Sequence, residues 1–401
     1  MALDKVRAVA RTAVQTGDVP GVVSLVWQGG RIHDIHAVGV ADVASGRPME
    51  ASAIFPIASM SKPVTVAAAL RLVEQGRLAL EDPITRWAPE FTEMRVLKRS
   101  DGPLDDTYPA PRAITVEDLM THRSGLSYGF TSRGPLAAEL MKTFGFGIDS
   151  PLSPDAWITA LAALPLASAP GERFEYGHSI DLLAFILGRA TGSSFQEVMR
   201  RELFEPLGMD DTGFWVPPDR RGRLVVNVMS PSLGEFTPNP ISVLTRPEPD
   251  AYAYASGGQG LVSTAADYLA FARMLVRGGE GVLKPETIRL MTTNRLTPDQ
   301  RQRPFMGMPL FASRGFGLGM SVVMDAQAHS SMGAGEVGAF GWPGAFGGWW
   351  QGDPARDAVL IWLQDCLPPP PREGALPRMP GMAATVAFQK AAYQALEQAG
   401  G

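Results

Sequence analysis

The chain has 401 residues, of which 45% are hydrophobic and 19% charged, with a formal net charge of −5. This length allows one large or two medium globular domains, and the acidic balance gives no basic surface for nucleic acid or anionic membranes. The single cysteine, Cys366, rules out an intrachain disulfide and has no reactive signature. We therefore predict a cytoplasmic protein without a signal peptide, a membrane-spanning helix or a nucleic-acid partner.

The predicted elements begin with an amphipathic helix over residues 1–17. Two strand patterns follow, Gly21–Trp27 and Arg31–Val40, and Gly29-Gly30 between them is typical of a hairpin turn. A helix pattern then runs over residues 64–76.

The middle of the chain favours helices joined by long loops. Glycine and proline clusters over residues 128–147 and 217–249 predict loops that wall a pocket. The helical patterns cover Thr115–Met120, Pro154–Leu164, Ile180–Thr191, Phe195–Leu203, Ala265–Val276 and Pro285–Thr292.

The C-terminal part returns to strand patterns and ends in an amphipathic helix, Ala383–Gln398. Strand-rich ends around a helical middle predict an α/β (α+β) fold with a compact sheet built from both ends of the chain and a helical insertion. Residues 1–80 and 301–401 would form the mixed domain, and residues 81–300 the helical one. The proline run Leu367–Arg372 is interpreted as a stiff surface loop. The strand patterns are Gly315–Val323, Val337–Trp342, Gly347–Gln351 and Ala358–Gln364.

A serine and a lysine lie three residues apart, at Ser59 and Lys62, where the helix over residues 64–76 is about to begin. Positions i and i+3 share one helix face, so the two side chains can meet within hydrogen-bond distance. Unpaired backbone N–H groups at a helix N-terminus suit a nucleophile whose reaction develops an oxyanion. Taken alone, this spacing more often marks a helix cap, so the interpretation of Ser59 as a nucleophile depends on other motifs in the chain.

A rival nucleophile is Ser127, in the G-x-S-x-G pattern of Gly125–Gly129. Such an elbow requires a buried strand before it and a helix after it. Here a helix end containing His122 precedes it and a loop follows, so we interpret the match as coincidental. The segment His33–His36 lies in a strand pattern without metal-like context, and we predict no metal and no cofactor.

Two further segments supply partners for Ser59. Tyr176 precedes the predicted helix Ile180–Thr191 and can face Lys62 from the other side of a cleft. A serine needs a base, and a lysine with a tyrosine is one of the two usual routes. In the glycine-rich segment Phe340–Gly348, backbone N–H groups can approach a ligand closely, so the N–H groups of Ala345 and Ser59 are predicted to form an oxyanion hole.

Five short motifs occur in the order and rough spacing of the class C β-lactamase-related serine hydrolases: Ser59–Lys62, Leu119–Leu126, Tyr176–His178, Ser256–Thr264 and Trp342–Gly344. From about residue 5 to residue 395 the chain resembles the branch called family VIII carboxylesterases. The resemblance implies a Ser59 nucleophile, a Lys62 and Tyr176 acid/base pair, and a cleft between an antiparallel sheet domain flanked by terminal helices and an all-α domain. It does not decide whether Lys62 or Tyr176 is the base.

Two departures from the β-lactamase pattern concern the substrate. His178 stands where β-lactamases have asparagine, which puts amide recognition in doubt. Trp342 stands where they have lysine, so the group that attracts a substrate carboxylate is missing. With the nearby aromatic residues this favours an uncharged, apolar acyl ester. The predicted substrate-binding residues are Trp342, Gly344, Phe346, His178 and Tyr128.

The sequence therefore predicts a serine carboxylesterase that hydrolyses short-to-medium acyl esters, with a small-molecule ester as its partner. A β-lactamase or D-amino-acid peptidase, an acyltransferase, and a catalytically silent binding protein on the same scaffold are the alternatives. The oligomeric state is not predicted.

Overall fold

The structure is a computed structural model and describes residues 2–239, 254–369 and 378–400. Its strands are β1 (Gly21–Gln28), β2 (Arg31–Asp42), β3 (Arg47–Pro48), β4 (Phe55–Pro56), β5 (Arg95–Leu97), β6 (Thr107–Pro109), β7 (Val228–Met229), β8 (Thr237–Pro238), β9 (Val262–Ser263), β10 (Arg314–Phe316), β11 (Ser321–Val323), β12 (Phe340–Gly341), β13 (Trp349–Asp353), β14 (Ala358–Leu363) and β15 (Cys366–Leu367). Its α-helices are α1 (Ala2–Gln15), α2 (Ser61–Glu74), α3 (Val116–Met120), α4 (Gly134–Phe144), α5 (Pro154–Ala162), α6 (Ser179–Thr191), α7 (Phe195–Met199), α8 (Glu205–Leu207), α9 (Ala265–Val276), α10 (Pro285–Met291), α11 (Pro298–Arg301), α12 (Ala326–His329) and α13 (Met382–Gly400).

One antiparallel sheet joins the two ends of the chain. Its strand order is β10-β11-β12-β13-β14-β1-β2-β3. Near the middle, β1 pairs with β14, placing Val23 opposite Leu363, and on its other side β1 pairs with β2, placing Ser24 opposite His36. The predicted hairpin and the sheet built from both ends of the chain are thus confirmed.

Both faces of this sheet are buried, which explains why β1 reads as a continuous apolar run. Val22 and Val26 point to the outer face, where α1 and α13 cover them together with Trp362 of β14. Val23 and Leu25 point to the inner face, which packs against α2, α9 and the helical middle of the chain. Complete burial of such a side chain contributes about 1.5–3 kcal/mol. The terminal helices therefore flank the sheet, as the sequence predicts.

Some predicted boundaries are wrong. Residues 128–147 do not form a continuous loop, because α4 occupies residues 134–144 and buries Leu136, Leu140 and Phe144 at fourfold spacing. The predicted strand Gly315–Val323 is a hairpin of β10 and β11, since its middle residues turn around Gly319, which has φ +81°.

Other predictions lie partly outside the described residues. In the predicted loop 217–249, residues 218–223 form a 3-10 helix and β7 and β8 follow, and residues 240–249 lie outside the described residues. The same holds for residues 370–372 of the proline run. The domain boundaries remain a prediction.

No helix in residues 2–239, 254–369 and 378–400 is long and apolar enough to cross a membrane. Within the same ranges, no group of three or more histidine, cysteine or acidic side chains is placed to hold a metal ion.

Candidate active site

Ser59 lies in a single 3-10 turn, Ala58–Met60, that leads directly into α2. The helix begins at Ser61, three residues before the start that the sequence suggests. Met60 is the N-cap residue and no side chain caps the helix, so the Ser59 hydroxyl does not act as a cap. Ala58 has φ +44°, a left-handed conformation that non-glycine residues adopt at a cost, often at functional sites.

The Lys62 ammonium group is completely buried and has two hydrogen-bond acceptors. Nζ donates to Ser59 Oγ at 3.0 Å and to the carbonyl oxygen of Gly258 at 2.9 Å. It also lies 4.6 Å from the ring centre of Tyr176 and 5.4 Å from that of Tyr128. Two acceptors and two aromatic faces offset the cost of taking this charge out of water.

Tyr176 reaches Ser59 from the opposite side. Its hydroxyl donates to Ser59 Oγ at 2.7 Å and accepts a hydrogen bond from Trp342 Nε1 at 3.1 Å. Gly177, the next residue, packs so tightly that a Cβ there would lie 2.2 Å from Ser127 Cα. The structure thus brings together the three residues that the sequence predicts as catalytic. It also shows that the indole N–H of Trp342 donates a hydrogen bond to the Tyr176 oxygen.

A β-turn at Gly344–Gly347, closed by a 3.0 Å backbone hydrogen bond, packs against the segment that carries Ser59. A Cβ on Gly344 would lie 2.5 Å from the carbonyl oxygen of Ile57, so only glycine allows this approach. Phe346 packs with Ala58 and Ile148 in a small apolar cluster. The N–H of Ala345 donates to no acceptor in the described part of the chain. These contacts place the predicted oxyanion donors on neighbouring segments.

Asp181 is a buried carboxylate in the first turn of α6 that the sequence analysis missed. Its Oδ2 accepts from the Tyr128 hydroxyl at 3.1 Å, and its Oδ1 accepts from the Gly258 N–H at 3.0 Å and from Ser256 Oγ. Burial alone would raise the pKa of Asp181, but its polar contacts with His178 and Ser256 and the charge of Lys62 hold that pKa below its ordinary value. Asp181 therefore fixes the loop whose Gly258 carbonyl receives Lys62.

Two predicted substrate-binding residues, His178 and Tyr128, are completely buried next to Lys62 and Tyr176. The ring of His178 contacts those of Tyr128, Phe144 and Trp157, and its Nδ1 lies 3.5 Å from Asp181 Oδ2. The Tyr128 hydroxyl is directed at the same carboxylate. In these positions both residues pack in the interior. The sequence alone does not decide the role of His178.

Phe305 lies next to Tyr176 and Trp342, and no sequence motif indicates it. Its ring lies 5.4 Å from that of Tyr176 and 5.7 Å from that of Trp342. It starts a tight turn closed by two backbone hydrogen bonds with Met308, and the side chains of Met306 and Met308 in this turn are exposed. An apolar surface therefore adjoins Tyr176.

The histidine route to serine activation has no support. Ser127 is buried, its hydroxyl has no hydrogen-bond partner in the described residues, and it follows helix α3 rather than a strand. His122 accepts a 3.4 Å hydrogen bond from the Gly177 N–H at Nδ1, and its ring lies 4.7 Å from that of Tyr176. Burial, followed by the charge of Lys62, holds the pKa of His122 well below its ordinary value.

Known proteins resemble this chain over most of its length. The family profile described as Beta-lactamase matches residues 6–379. Esterase EstB of Burkholderia gladioli is 31% identical, covering 89% of this chain and 88% of that protein, and Protein Rv1367c of Mycobacterium tuberculosis is 44% identical, covering 91% of each.

The solved structure of EstCE1, "a hydrolase with promiscuous acyltransferase activity", is 28% identical, with a TM-score of 0.81 and 98% of both chains covered. This agreement confirms the predicted fold. The chain therefore belongs to the Beta-lactamase family and is a β-lactamase-related serine hydrolase.

Proposed function

We propose that this protein is a carboxylesterase in which Ser59 is the nucleophile and Lys62 and Tyr176 form the acid/base pair. The observation that carries the proposal is the position of Ser59 Oγ, 3.0 Å from Lys62 Nζ and 2.7 Å from the Tyr176 hydroxyl. A nucleophile and its base must lie within this distance for direct proton transfer. The similarity to EstB and EstCE1 supports ester hydrolysis.

The reaction is a two-step acyl transfer. Ser59 Oγ attacks the ester carbonyl while its proton passes to the Lys62 and Tyr176 pair, and the N–H groups of Ser59 and Ala345 bind the oxyanion. The pair returns the proton to the leaving alcohol as the C–O bond breaks. Water then attacks the carbonyl of the acyl-enzyme while the pair takes a proton from it. The pair returns that proton to Ser59 Oγ as the bond between Oγ and the acyl carbon breaks, which releases the carboxylic acid and restores Ser59.

We infer that Tyr176 is the member of the pair that takes the proton. Its oxygen lies 2.7 Å from Ser59 Oγ, closer than Lys62 Nζ at 3.0 Å, and Trp342 Nε1 donates to that oxygen at 3.1 Å. Lys62 is held between Ser59 Oγ and the Gly258 carbonyl, whose loop Asp181 fixes, so Lys62 orients the serine hydroxyl for the transfer.

The surroundings of the site favour an uncharged, apolar acyl group. Trp342 occupies the position of a lysine that would attract a carboxylate, and Phe305 extends the apolar surface beside it. We propose that short-to-medium acyl chains lie against these two rings.

An acceptor alcohol in place of water would make the same acyl-enzyme an acyltransferase, and the acyltransferase activity described for EstCE1 favours this second function. A cytoplasmic location stays a prediction.

The test compares two serine variants on two substrates. Ser59→Ala should abolish hydrolysis of a short-chain p-nitrophenyl ester and labelling by a fluorophosphonate probe, whereas Ser127→Ala should keep most of both. The wild type should turn over the ester faster than a chromogenic cephalosporin. If Ser127→Ala abolished hydrolysis and labelling while Ser59→Ala kept both, Ser127 would be the nucleophile. A cephalosporin rate above the ester rate would identify a β-lactamase. Product analysis with added alcohols measures the share of acyl transfer.

A further inference from the structure

A second buried cation lies on the outer side of the sheet, away from Ser59. Arg314 of the edge strand β10 is 7% exposed, and next to it lie His329 of α12 and Gln351 of β13. We call these three residues the Arg314 cluster. Helix α13 closes it, because Tyr393 Oη accepts a hydrogen bond from Gln351 Nε2 at 2.9 Å.

The guanidinium of Arg314 has no acidic partner in the described residues. Its Nη2 makes one long contact, 3.5 Å, with Gln351 Oε1, and its Nε has no acceptor among the described protein atoms. The nearest carboxylate along the hydrogen-bond network is Asp353, which is reached only through Gln351 and Tyr393. A buried arginine with so little compensation is unusual, since buried charges are normally paired.

His329 adds further unused hydrogen-bonding capacity. It is 3% exposed, and neither ring nitrogen has a partner in the described part of the chain. Burial, followed by the charge of Arg314, lowers the pKa of His329 to about 4, so the imidazole is neutral near pH 7 and carries one N–H donor. Burial lowers the pKa of Arg314 to about 10, so its charge remains at that pH.

The space around the cluster is small. A Cβ on Gly333 would lie 3.1 Å from His329 Nε2, and a Cβ on Gly335 would lie 2.6 Å from Gln351 Nε2. The backbone of residues 333–335 therefore presses onto the cluster from one side, while α13 covers it from another. This enclosure favours a compact ligand over a substrate-sized carboxylate.

We propose that the Arg314 cluster binds one small monovalent anion, of which chloride is the representative. Arg314 Nε and the N–H of His329 would donate to it, and its single negative charge would balance the single positive charge of Arg314. The bound anion would tie β10, α12 and β13 together beneath α13. Because the unfolded chain lacks this arrangement, anion binding should stabilise the folded protein.

The experiment measures thermal unfolding of the full-length protein in sodium chloride and in sodium gluconate at one ionic strength. We expect the midpoint of the wild type to rise by about 1–3 °C and to saturate with chloride. Arg314→Met should lose this rise. The matched control is Arg356→Met, which removes a half-exposed arginine paired with Glu336 and should keep it. An equal rise in Arg314→Met, or none in the wild type, overturns the proposal.

Crystals of the wild type grown in sodium bromide provide a test that does not depend on a variant that folds. Anomalous scattering should show bromide within hydrogen-bond distance of Arg314 Nε and a nitrogen of His329. A water at that position, or bromide only at exposed sites, would overturn the proposal. Ester hydrolysis is not part of either readout, so failure here leaves the role of Ser59 untouched.

Discussion

The two faces of the sheet each have a buried cation beside them, and the surroundings of the two differ. On the inner side, Lys62 has two acceptors and two aromatic rings around its ammonium group. On the outer side, Arg314 has one long contact with Gln351. Because an unpaired buried charge is costly, the first arrangement indicates a cation fixed by the protein, and the second a cation that needs a partner from solution.

The hydrogen-bond network around Lys62 is also linked to a compensating charge. Asp181 fixes Gly258, Gly258 accepts from Lys62, and Lys62 contacts Ser59. One carboxylate is thus linked to one ammonium through Gly258, whose N–H donates to Asp181 and whose carbonyl accepts from Lys62. Variants should therefore lose activity in proportion to how strongly each disturbs this network around Lys62.

Lys62→Met should have the largest effect. It removes the ammonium group from Ser59 while filling nearly the same space, so we expect the rate of ester hydrolysis to fall about 10³–10⁴-fold while the protein stays folded. Ester kinetics and urea unfolding measure the two quantities. The exposed Lys142, paired with Glu139, supplies the control Lys142→Met, which should change neither. More than a tenth of the activity surviving in Lys62→Met would show that Tyr176 acts without the lysine.

Asp181→Asn should have the next largest effect. The substitution removes the charged acceptor that fixes the Gly258 loop and the negative charge that compensates Lys62. We therefore expect kcat to fall about 10–100-fold and the free energy of unfolding to fall by about 1–3 kcal/mol. Active sites are counted by fluorophosphonate labelling, so that kcat refers to folded enzyme. Asp267→Asn removes a buried carboxylate in the first turn of α9, which accepts hydrogen bonds from the Asp211 N–H and the Thr212 hydroxyl, and should lower stability alone. Equal kcat per labelled site in both variants would leave Asp181 a structural role only.

Trp342→Phe tests the indole N–H. The aromatic ring is retained, but Tyr176 loses its 3.1 Å donor, and one such hydrogen bond corresponds to about tenfold in kcat. Trp362→Phe is the matched control, because Trp362 Nε1 donates to Gln364 on the outer side of the sheet. Steady-state kinetics with the same ester measure kcat and KM for both variants. A change in KM with kcat constant would mean that Trp342 binds substrate without stabilising the tyrosine oxygen.

The sequence predicted those features that depend on neighbouring residues or on a motif. The i, i+3 spacing of Ser59 and Lys62 places their side chains together on one turn, and the burial of β1 on both faces follows from its continuous apolar run. Tyr176 is predicted from its place before the helix Ile180–Thr191 and from the family resemblance, because its contact with Ser59 spans 117 positions of the chain. A contact between residues so far apart in the chain produces no periodic pattern in the sequence.

The missed features each have a physical reason. Asp181 is a polar residue in an otherwise apolar stretch of α6, and only the folded loop of Ser256 and Gly258 supplies its donors. Phe305 meets Tyr176 through a turn that carries no chemical motif. The helix α4 was hidden by the glycine and proline residues at its ends, although its buried residues recur every four positions.

His122→Asn should produce the smallest effect, visible in the pH dependence of stability. The pKa of His122 is well below 6.5 in the folded protein, so the unfolded chain takes up a proton first as the pH falls. Stability is therefore complete above about pH 6.5 and declines below it, with about 1 kcal/mol lost by pH 5.5 from this residue. Asparagine tolerates the φ of +53° at this position and does not titrate.

Urea unfolding between pH 8 and pH 5 should therefore show a shallower decline for His122→Asn than for the wild type. Part of the decline will remain, because burial lowers the pKa of His329 as well. His33→Asn, on the partly exposed part of β2, is the control and should follow the wild type. An unchanged slope in His122→Asn would mean that His122 takes up its proton in the folded state too, which would place a second positive charge beside Tyr176.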